Sequence, residues 1–163
     1  MEKYELVDKE GKSTGKILTE KQLCNIPEGY YLPVVGVVII NDKKEVLLQK
    51  RSKLKSVNPN KWGICGGKIN YGESPKEAAI RETKEEIGIS LDIDKLNLIG
   101  INFGYQACFI TYYIEQNIDL SKCVLQKEEV EQVQYFKVDE VEKLDNEGIE
   151  WLEDLRHIFK YKI

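Results

Sequence analysis

The segment over residues 66–89, GGKINYGESPKEAAIRETKEEIGI, constrains the fold most, because it specifies both ends and two faces of one helix. Ser74 is a good N-cap, and Pro75 suits the first helical position, where its missing N–H group leaves no bond unmade. Gly88 suits the end of the helix, since glycine readily adopts the left-handed conformation that closes many helices. The sequence therefore predicts a helix between Ser74 and Gly88.

The predicted helix carries three carboxylates close together, at Glu82, Glu85 and Glu86. With about 3.6 residues per turn, these side chains lie within roughly a third of the helix circumference. The neighbouring arc can pack into a core and consists of Ala79, Ile80, Thr83 and Ile87. Like charges at this spacing destabilise a helix by about 0.2–0.5 kcal/mol per pair, whereas Mg²⁺ binds carboxylates and phosphates together. Charge and spacing alone fit two interpretations, a solvated helix face and a metal site at the edge of a cleft.

The order of residues across the segment distinguishes these interpretations. Gly67 is followed after five residues by Glu73, and after seven more by the run RETKEEIGI, which begins at Arg81. This order resembles the signature of the Nudix hydrolases, G-x5-E-x7-R-E-U-x-E-E-x-G-U, in which U is a bulky aliphatic residue. The one departure is Thr83 at the first U position, where threonine keeps the β-branched shape. A match of this length is far more specific than a lone glycine motif.

The resemblance implies a Nudix fold, an α/β/α sandwich around a mixed β-sheet, and hydrolysis of a nucleoside diphosphate linked to another moiety. It also implies Mg²⁺ or Mn²⁺ as the cofactor, with water attacking a pyrophosphate phosphorus atom. The metal ligands carried over to this sequence are the carbonyl of Gly66 and the carboxylates of Glu82, Glu85 and Glu86. Glu73 and Arg81 match positions that pair in the family and brace the loops around the helix. Gly67 and Gly88 complete the structural support of the site.

Three further candidates lie outside the signature. The family often takes its general base from a separate loop, and the segment QKEEVEQVQYF resembles that region, so Glu128 and Glu129 are candidates. The alternative is that both are solvated loop carboxylates. Arg51 is a candidate contact for a polyphosphate, because the guanidinium group matches phosphate geometry, and a solvated loop position is again the alternative.

The segments before the signature, EKYELVDKEGKSTGK and LLQKRSKLKSVNPNKW, resemble the branch related to isopentenyl-diphosphate isomerase. The resemblance then extends over residues 2–142. Isomerase activity needs several histidines and a catalytic cysteine, whereas this chain has one histidine, His157, and Cys65 stands next to two glycines. The pattern therefore favours hydrolysis. A Nudix module that binds a nucleotide without cleaving it is the second class of function.

The remaining segments predict one domain over residues 1–163, with a hairpin-like extension over residues 1–29. VVGVVIIN is almost wholly apolar and predicts a strand buried on both faces, with EVLLQKRS as its hairpin partner. KWGICGGKI predicts a strand that breaks at its glycine pair, and LNLIGINFGY and ACFITYYIEQ predict an antiparallel pair. VEQVQYFKV predicts another strand, DEVEKL a helix, and GIEWLEDLRHIFKY an amphipathic C-terminal helix.

Composition and charge restrict the partners. The 163 residues carry a net charge of −4, which argues against stable nucleic-acid binding, and the resemblance implies a small nucleotide-type diphosphate instead. The four cysteines are scattered along the chain, which fits reduced thiols. The N-terminal segment MEKYELVDKEGK is charged throughout and lacks the apolar centre of a signal peptide. The apolar run over residues 34–40 is too short to cross a bilayer. We therefore expect a cytoplasmic protein without a membrane partner. Since dimers are common in the family that it resembles, a homodimer is a further expectation.

Overall fold

The centre of the fold is a seven-stranded mixed sheet. The computed structural model describes residues 1–144 together with Leu155, Arg156 and Lys160. The elements in chain order are β1 (Lys3–Val7), β2 (Ser13–Thr19), β3 (Leu32–Ile40), β4 (Val46–Arg51), β5 (Trp62–Gly63), β6 (Cys65–Lys68), α1 (Pro75–Ile87), β7 (Asn97–Gly104), β8 (Ala107–Glu115), β9 (Val130–Phe136) and α2 (Val138–Val141). Short 3₁₀ helices cover Glu20–Asn25, Ile93–Lys95 and Leu120–Lys122.

Strand β3 organises the sheet. It pairs in parallel with β8 over its whole length, from Leu32 opposite Ala107 to Ile40 opposite Glu115. It pairs antiparallel with β4 and with β6, while β5 and β9 extend the sheet beyond β4 and β7 extends it beyond β8. The predicted mixed sheet is therefore confirmed, as are the predicted antiparallel pairs β3–β4 and β7–β8.

Alternate residues of β3 point to opposite faces of the sheet, as strand geometry requires. The face that carries Val37 packs against α1, where Ala79 and Ile87 are fully buried. The opposite face, which carries Val38, packs against α2 and Leu155. Burial on both faces explains why polar and apolar residues do not alternate along this strand. A mixed sheet packed against helices on both faces confirms the expected fold class.

The N-terminal extension forms the predicted hairpin. β1 and β2 pair antiparallel as a separate two-stranded sheet. Tyr4 and Leu6 are almost completely buried, and the N–H of Tyr71 donates to the carbonyl of Lys3 at 2.7 Å. The hairpin is therefore packed onto the main sheet through its apolar face.

The predicted break at the glycine pair is wrong. β6 continues through Gly66 and Gly67, and the interruption comes one residue before β6, at Ile64. A Cβ atom at position 66 would lie 2.1 Å from the carbonyl oxygen of Val35 on the paired strand. Gly66 therefore permits a close approach of two strands, which is a different use of glycine from breaking one.

The ends of α1 are confirmed as predicted. Ser74 is the N-cap, and its Oγ accepts a hydrogen bond from the N–H of Glu77 while the Glu77 side chain accepts one from Ser74. Gly88 is the C-cap, with a φ of 75° in the left-handed region. Local chemistry at each end is thus sufficient to define this helix.

Two predictions near the C-terminus have different outcomes. The helix expected over DEVEKL is shorter than expected, since α2 ends at Val141. Most of the expected amphipathic stripe lies outside the described residues, namely Ile149, Leu152, Ile158 and Phe159, and so does His157. Leu155, the described member of that stripe, is buried against the second face of the sheet. Across the described residues, no helix is both long and apolar enough to cross a bilayer.

Candidate active site

Helix α1 presents its three glutamates at increasing depth. The Glu85 side chain is 52% exposed and the Glu82 side chain 15%, whereas Glu86 as a whole residue is only 5% exposed. The buried arc predicted beside them includes Thr83, which is fully buried. The carboxylates therefore lead from solvent into the interior, instead of lining a solvated face.

Glu86 is held by two hydrogen-bond donors from neighbouring strands. Nε2 of Gln49 donates to Oε2 of Glu86 at 2.8 Å, and the N–H of Gly66 donates to the same oxygen at 3.1 Å. Burial, with a smaller contribution from the charge of Glu82, raises the pKa of Glu86 to about 8. An ionised carboxylate at this position is thus under electrostatic stress that a nearby cation would relieve.

The carboxylate of Glu82 lies directly over Gly67. A Cβ atom at position 67 would come within 2.4 Å of the carboxylate carbon, a distance that real Cβ contacts essentially never show. Burial raises the pKa of Glu82 as well, although Arg81 partly opposes this effect. Only glycine at position 67 leaves room for this acid.

Arg81 connects the glutamate row, which consists of Glu82, Glu85 and Glu86, to the loop and the strand beside α1. Its Nε and Nη2 donate to the two carboxylate oxygens of Glu73 at 2.8 and 2.9 Å, and Nη2 also donates to the carbonyl of Lys68 at 2.9 Å. Its Nη1 donates to Glu82 at 2.7 Å and to Glu85 at 3.2 Å. One guanidinium therefore ties the loop before α1, strand β6 and two of the glutamates together.

The donor set suits a hard divalent cation. Within the described part of the chain, no three Asp, Glu, His or Cys side chains already converge on one point. The reason is visible in the contacts, since Arg81 holds Glu82 and Glu85 while Gln49 holds Glu86. Three carboxylates within five residues, two of them with raised pKa values, are nevertheless oxygen ligands of the kind that Mg²⁺ and Mn²⁺ prefer.

A cleft of about 210 Å³ adjoins the glutamate row. Its lining residues are Val34, Gln49, Arg51, Val57, Asn58, Gly63, Ile64, Gly66, Gly67 and Phe109. Gln49 and Gly66 line the cleft and both donate to Glu86, so the deepest acid lies one hydrogen bond behind the cleft wall. Arg51 lies in the cleft wall, where its Nε and Nη2 donate to the carbonyl of Val57 at 3.1 and 3.0 Å. The predicted phosphate contact is therefore at the cleft and also fixes the loop that borders it.

The structure distinguishes the two loop carboxylates. Glu129 is half-buried, pairs with Nζ of Lys55 at 2.6 Å, and contributes to the raised pKa of Glu86. The N–H of Ser52 donates to the Glu129 carbonyl at 2.9 Å, which anchors this loop to the one after β4. Glu128 is exposed. Of the two candidates, Glu129 is the one placed near the glutamate row.

Sequence reasoning missed Gln49. This residue is 4% exposed, and its Oε1 accepts a hydrogen bond from the Cys65 thiol at 3.2 Å. The available signal was a polar side chain directly after the apolar run VLL of β4, at a position that the sheet buries. The cleft residues Val57, Asn58 and Phe109 carried no such signal, because they meet only in the folded chain.

Comparisons with known proteins identify the family. A family model described as NUDIX domain matches residues 30–155. The chain is 34% identical over 150 residues to an uncharacterised Nudix hydrolase of Listeria monocytogenes, covering 91% of this chain and 87% of that protein. It is 48% identical over 65 residues to an RNA pyrophosphohydrolase of Ruthia magnifica, covering 40% and 33%.

A solved structure shows the same fold. The NUDIX domain of Shewanella oneidensis NrtR, crystallised with ADP-ribose, superposes with a TM-score of 0.67 at 18% identity. The superposition covers 88% of this chain and 98% of that one. Given the signature on α1, the family model and the relative that is 34% identical over nearly the whole chain, this chain belongs to the Nudix family.

Proposed function

We propose that this chain is a Mg²⁺- or Mn²⁺-dependent hydrolase that cleaves the pyrophosphate bond of a nucleoside diphosphate linked to another moiety, or of a nucleoside triphosphate. One observation carries the proposal. The glutamate row of α1 ends at a buried acid, Glu86, beside a cleft whose wall contains Arg51. A phosphate chain in that cleft would meet carboxylate ligands on one side and a guanidinium group on the other.

Each residue then has a distinct role. Glu82, Glu85, Glu86 and the carbonyl of Gly66 would hold the cation, which when bound supplies an activated water and neutralises phosphate charge. Glu129 accepts a proton from the attacking water, a role supported by its half-buried position near Glu86. The new bond joins the water oxygen to phosphorus, and the bond from that phosphorus to the bridging oxygen breaks.

The proposed substrate class is supported by the chemistry of the site, by the name of one relative and by the ligand of one similar structure. The relative from Ruthia magnifica is named an RNA pyrophosphohydrolase, but the match covers only 33% of that protein. The Shewanella domain was crystallised with ADP-ribose, a nucleoside diphosphate linked to a second moiety. A net charge of −4 favours small molecules over long nucleic acids in this chain. Small nucleotide diphosphates are therefore the first substrates to test.

A substrate screen with a matched variant tests the proposal. The panel contains nucleoside diphosphate derivatives, oxidised nucleoside triphosphates and a short 5′-triphosphorylated RNA, each with Mg²⁺ and with Mn²⁺. Phosphate-containing products should form with the wild-type chain and fall about 100-fold or more with Glu86→Gln, because metal catalysis contributes several kcal/mol. Turnover that survives in Glu86→Gln, or no turnover of any phosphoanhydride, would contradict the proposal.

The same screen separates the two other functions. A binding module would show tight nucleotide binding by calorimetry without product formation. Isomerase activity would interconvert isopentenyl and dimethylallyl diphosphate, and we do not propose it, because Cys65 is buried and hydrogen-bonded to Gln49. The likeness of the flanking segments to the isomerase branch supports at most a shared ancestry of the scaffold.

We also propose that the enzyme acts in the cytoplasm on a small-molecule partner. All four cysteines are free thiols in the structure, which supports a reducing compartment. The homodimer expected from the family is a separate proposal. Sedimentation of the purified chain over a range of concentrations would establish the oligomeric state directly.

A further inference from the structure

Three buried side chains form a line of hydrogen bonds beneath the glutamate row. The Cys65 thiol of β6 donates to Oε1 of Gln49 on β4 at 3.2 Å. Nε2 of the same amide donates to Oε2 of Glu86 on α1 at 2.8 Å. The three residues are 4%, 4% and 5% exposed, so water cannot easily replace any of these bonds. Gln49 therefore connects two strands to the deepest acid of the site.

The direction of the amide follows from its two neighbours. A carboxylate that binds a cation is ionised and only accepts hydrogen bonds, and a thiol can donate its proton as well as accept weakly. If the Gln49 amide were reversed, its oxygen would face Oε2 of Glu86, which also accepts from the N–H of Gly66, and the amide oxygen would be a buried acceptor without a donor. Cys65 and Glu86 together select one orientation, in which the NH₂ group points at the acid.

The two donors to Glu86 bond to the same carboxylate oxygen. Both Gln49 and the N–H of Gly66 donate to Oε2, and neither of them bonds to Oε1. We propose that Gln49 is a positioning residue that holds the Glu86 carboxylate in the orientation needed to bind the cation, and that the Cys65 thiol sets the direction of the Gln49 amide. This inference rests on the proposed function, since it explains how one ligand of the proposed cation site is held.

A purely structural role for Gln49 makes a different prediction. If the residue only filled the core, an unbranched apolar side chain of similar length would serve equally well and would bury no polar group. Val46 and Leu48 on the same strand show that β4 accommodates fully buried apolar side chains. The two roles can therefore be separated by Gln49→Met, which keeps the shape and removes the donor.

The first experiment measures Mn²⁺ binding by calorimetry without substrate, together with thermal melting. We expect Gln49→Met to melt cooperatively and to bind Mn²⁺ about 10-fold or more weakly, the usual effect of removing an outer partner of a metal ligand. Gln134→Met on β9 is the matched control, since Gln134 is exposed, and its affinity should stay within about twofold of wild type. A Gln49→Met affinity that is also within about twofold of wild type would overturn the proposal.

A second pair of variants tests the thiol and remains decisive if Gln49→Met does not fold. Cys65→Ala removes the donor to Oε1 of Gln49, whereas Cys65→Ser restores a hydroxyl donor at nearly the same size. Cys65→Ser should bind Mn²⁺ about threefold or more tightly than Cys65→Ala, in line with one hydrogen bond. Equal affinities would overturn the role of the thiol.

The outcomes also separate this inference from the proposed function. If Gln49→Met weakens Mn²⁺ binding while the wild-type chain cleaves no phosphoanhydride, the proposed reaction fails and the positioning role stands. If the wild-type chain turns over substrate and Gln49→Met retains full Mn²⁺ affinity, the reaction stands and the positioning role fails. Absence of Mn²⁺ binding by the wild-type chain would overturn the positioning role.

Discussion

A side chain at position 67 would have to start where the carboxylate of Glu82 already lies. The nearest atoms, the carboxylate carbon and Oε1, would be 2.4 and 2.5 Å from a Cβ atom there. Gly67→Ala must therefore displace Glu82, and we expect Mn²⁺ affinity to fall about 10-fold or more in a chain that still folds. Gly104→Ala is the control, because nothing lies within 4 Å of a Cβ atom at that glycine. Calorimetry that finds equal Mn²⁺ affinity in the two variants would show that Glu82 has no part in binding.

The general base can be identified with two adjacent variants. Glu129→Gln should lower kcat about 100-fold or more, which is the lower range for loss of a general base. Glu128→Gln should leave kcat nearly unchanged, since Glu128 is exposed whereas Glu129 is half-buried near Glu86. The measurement is steady-state turnover of the best substrate from the screen. Equal losses in the two variants would contradict the assignment.

Residue-scale predictions from sequence succeeded where one segment contains all of the information. Glu73 and Arg81 stand eight positions apart in the chain, and they pair in the structure as two members of one local pattern. Gln49 was not predicted, because its partner Glu86 lies 37 positions away in the chain. The hydrogen bond between them forms only when the fold brings β4 beside α1. Glu128 and Glu129 could not be distinguished, since loop residues follow no regular alternation.

At the scale of elements, the end of α1 positions the loop that carries Glu129. The N–H of Val124 donates to the carbonyl of Ile87 at 2.9 Å, and the N–H of Gln126 donates to that of Glu86 at 3.0 Å. The loop thus satisfies helix carbonyls that would otherwise lack partners. A change at the helix terminus should therefore affect both stability and the position of Glu129.

Gly88→Ala tests the contact between the end of α1 and this loop through its effect on stability. The φ of 75° penalises any side chain, and a Cβ atom would also lie 2.9 Å from Cβ and N of Val124. We expect the free energy of unfolding to fall by about 1–3 kcal/mol, measured by urea denaturation. Gly29→Ala shares the left-handed φ, at 82°, but meets nothing within 4 Å, so it should cost less. Equal costs would show that contact with Val124 contributes nothing.

Elements were predictable where local chemistry decides them. The ends of α1 follow from Ser74, Pro75 and Gly88, which act through their own backbone geometry. The course of β6 was not predictable, because a glycine pair is typical of a strand break, whereas here Gly66 permits close pairing with β3 and Gly67 leaves room for Glu82. Whether a glycine ends a strand or permits close packing within it therefore depends on partners that lie far along the chain.

At the scale of the whole molecule, the N-terminal segment is tied to strand β6 by a charged junction between Glu20 and Lys68. Nζ of Lys68 donates to both carboxylate oxygens of Glu20 at 2.7 and 2.9 Å, and the Tyr4 hydroxyl donates to Glu20 at 2.8 Å. The carbonyl of Lys68 in turn accepts from Arg81. The hairpin was predictable from its turn residues, whereas its link to the brace of the site depends on long-range packing.

This junction gives hairpin docking a defined pH dependence. Hydrogen bonds from Lys68 and Tyr4 lower the pKa of Glu20 below its ordinary value of 4.5. A group whose pKa is lower in the folded state stabilises the fold above its unfolded pKa, and that contribution is lost as the pH falls through the folded pKa. The contribution of Glu20 should therefore be complete near neutral pH and decline progressively below about pH 4.5.

Comparison with Glu20→Gln isolates this effect from the other carboxylates, which titrate in both chains. The free energy of unfolding, from urea denaturation, should differ more between wild type and Glu20→Gln at about pH 6 than at about pH 3.5. Amide hydrogen exchange in β1 should show the same convergence, because the hairpin opens more readily once its carboxylate is protonated. A difference that stays constant over this range would mean that Lys68 and Tyr4 hold neutral and ionised Glu20 equally well, and that the junction is steric instead of electrostatic.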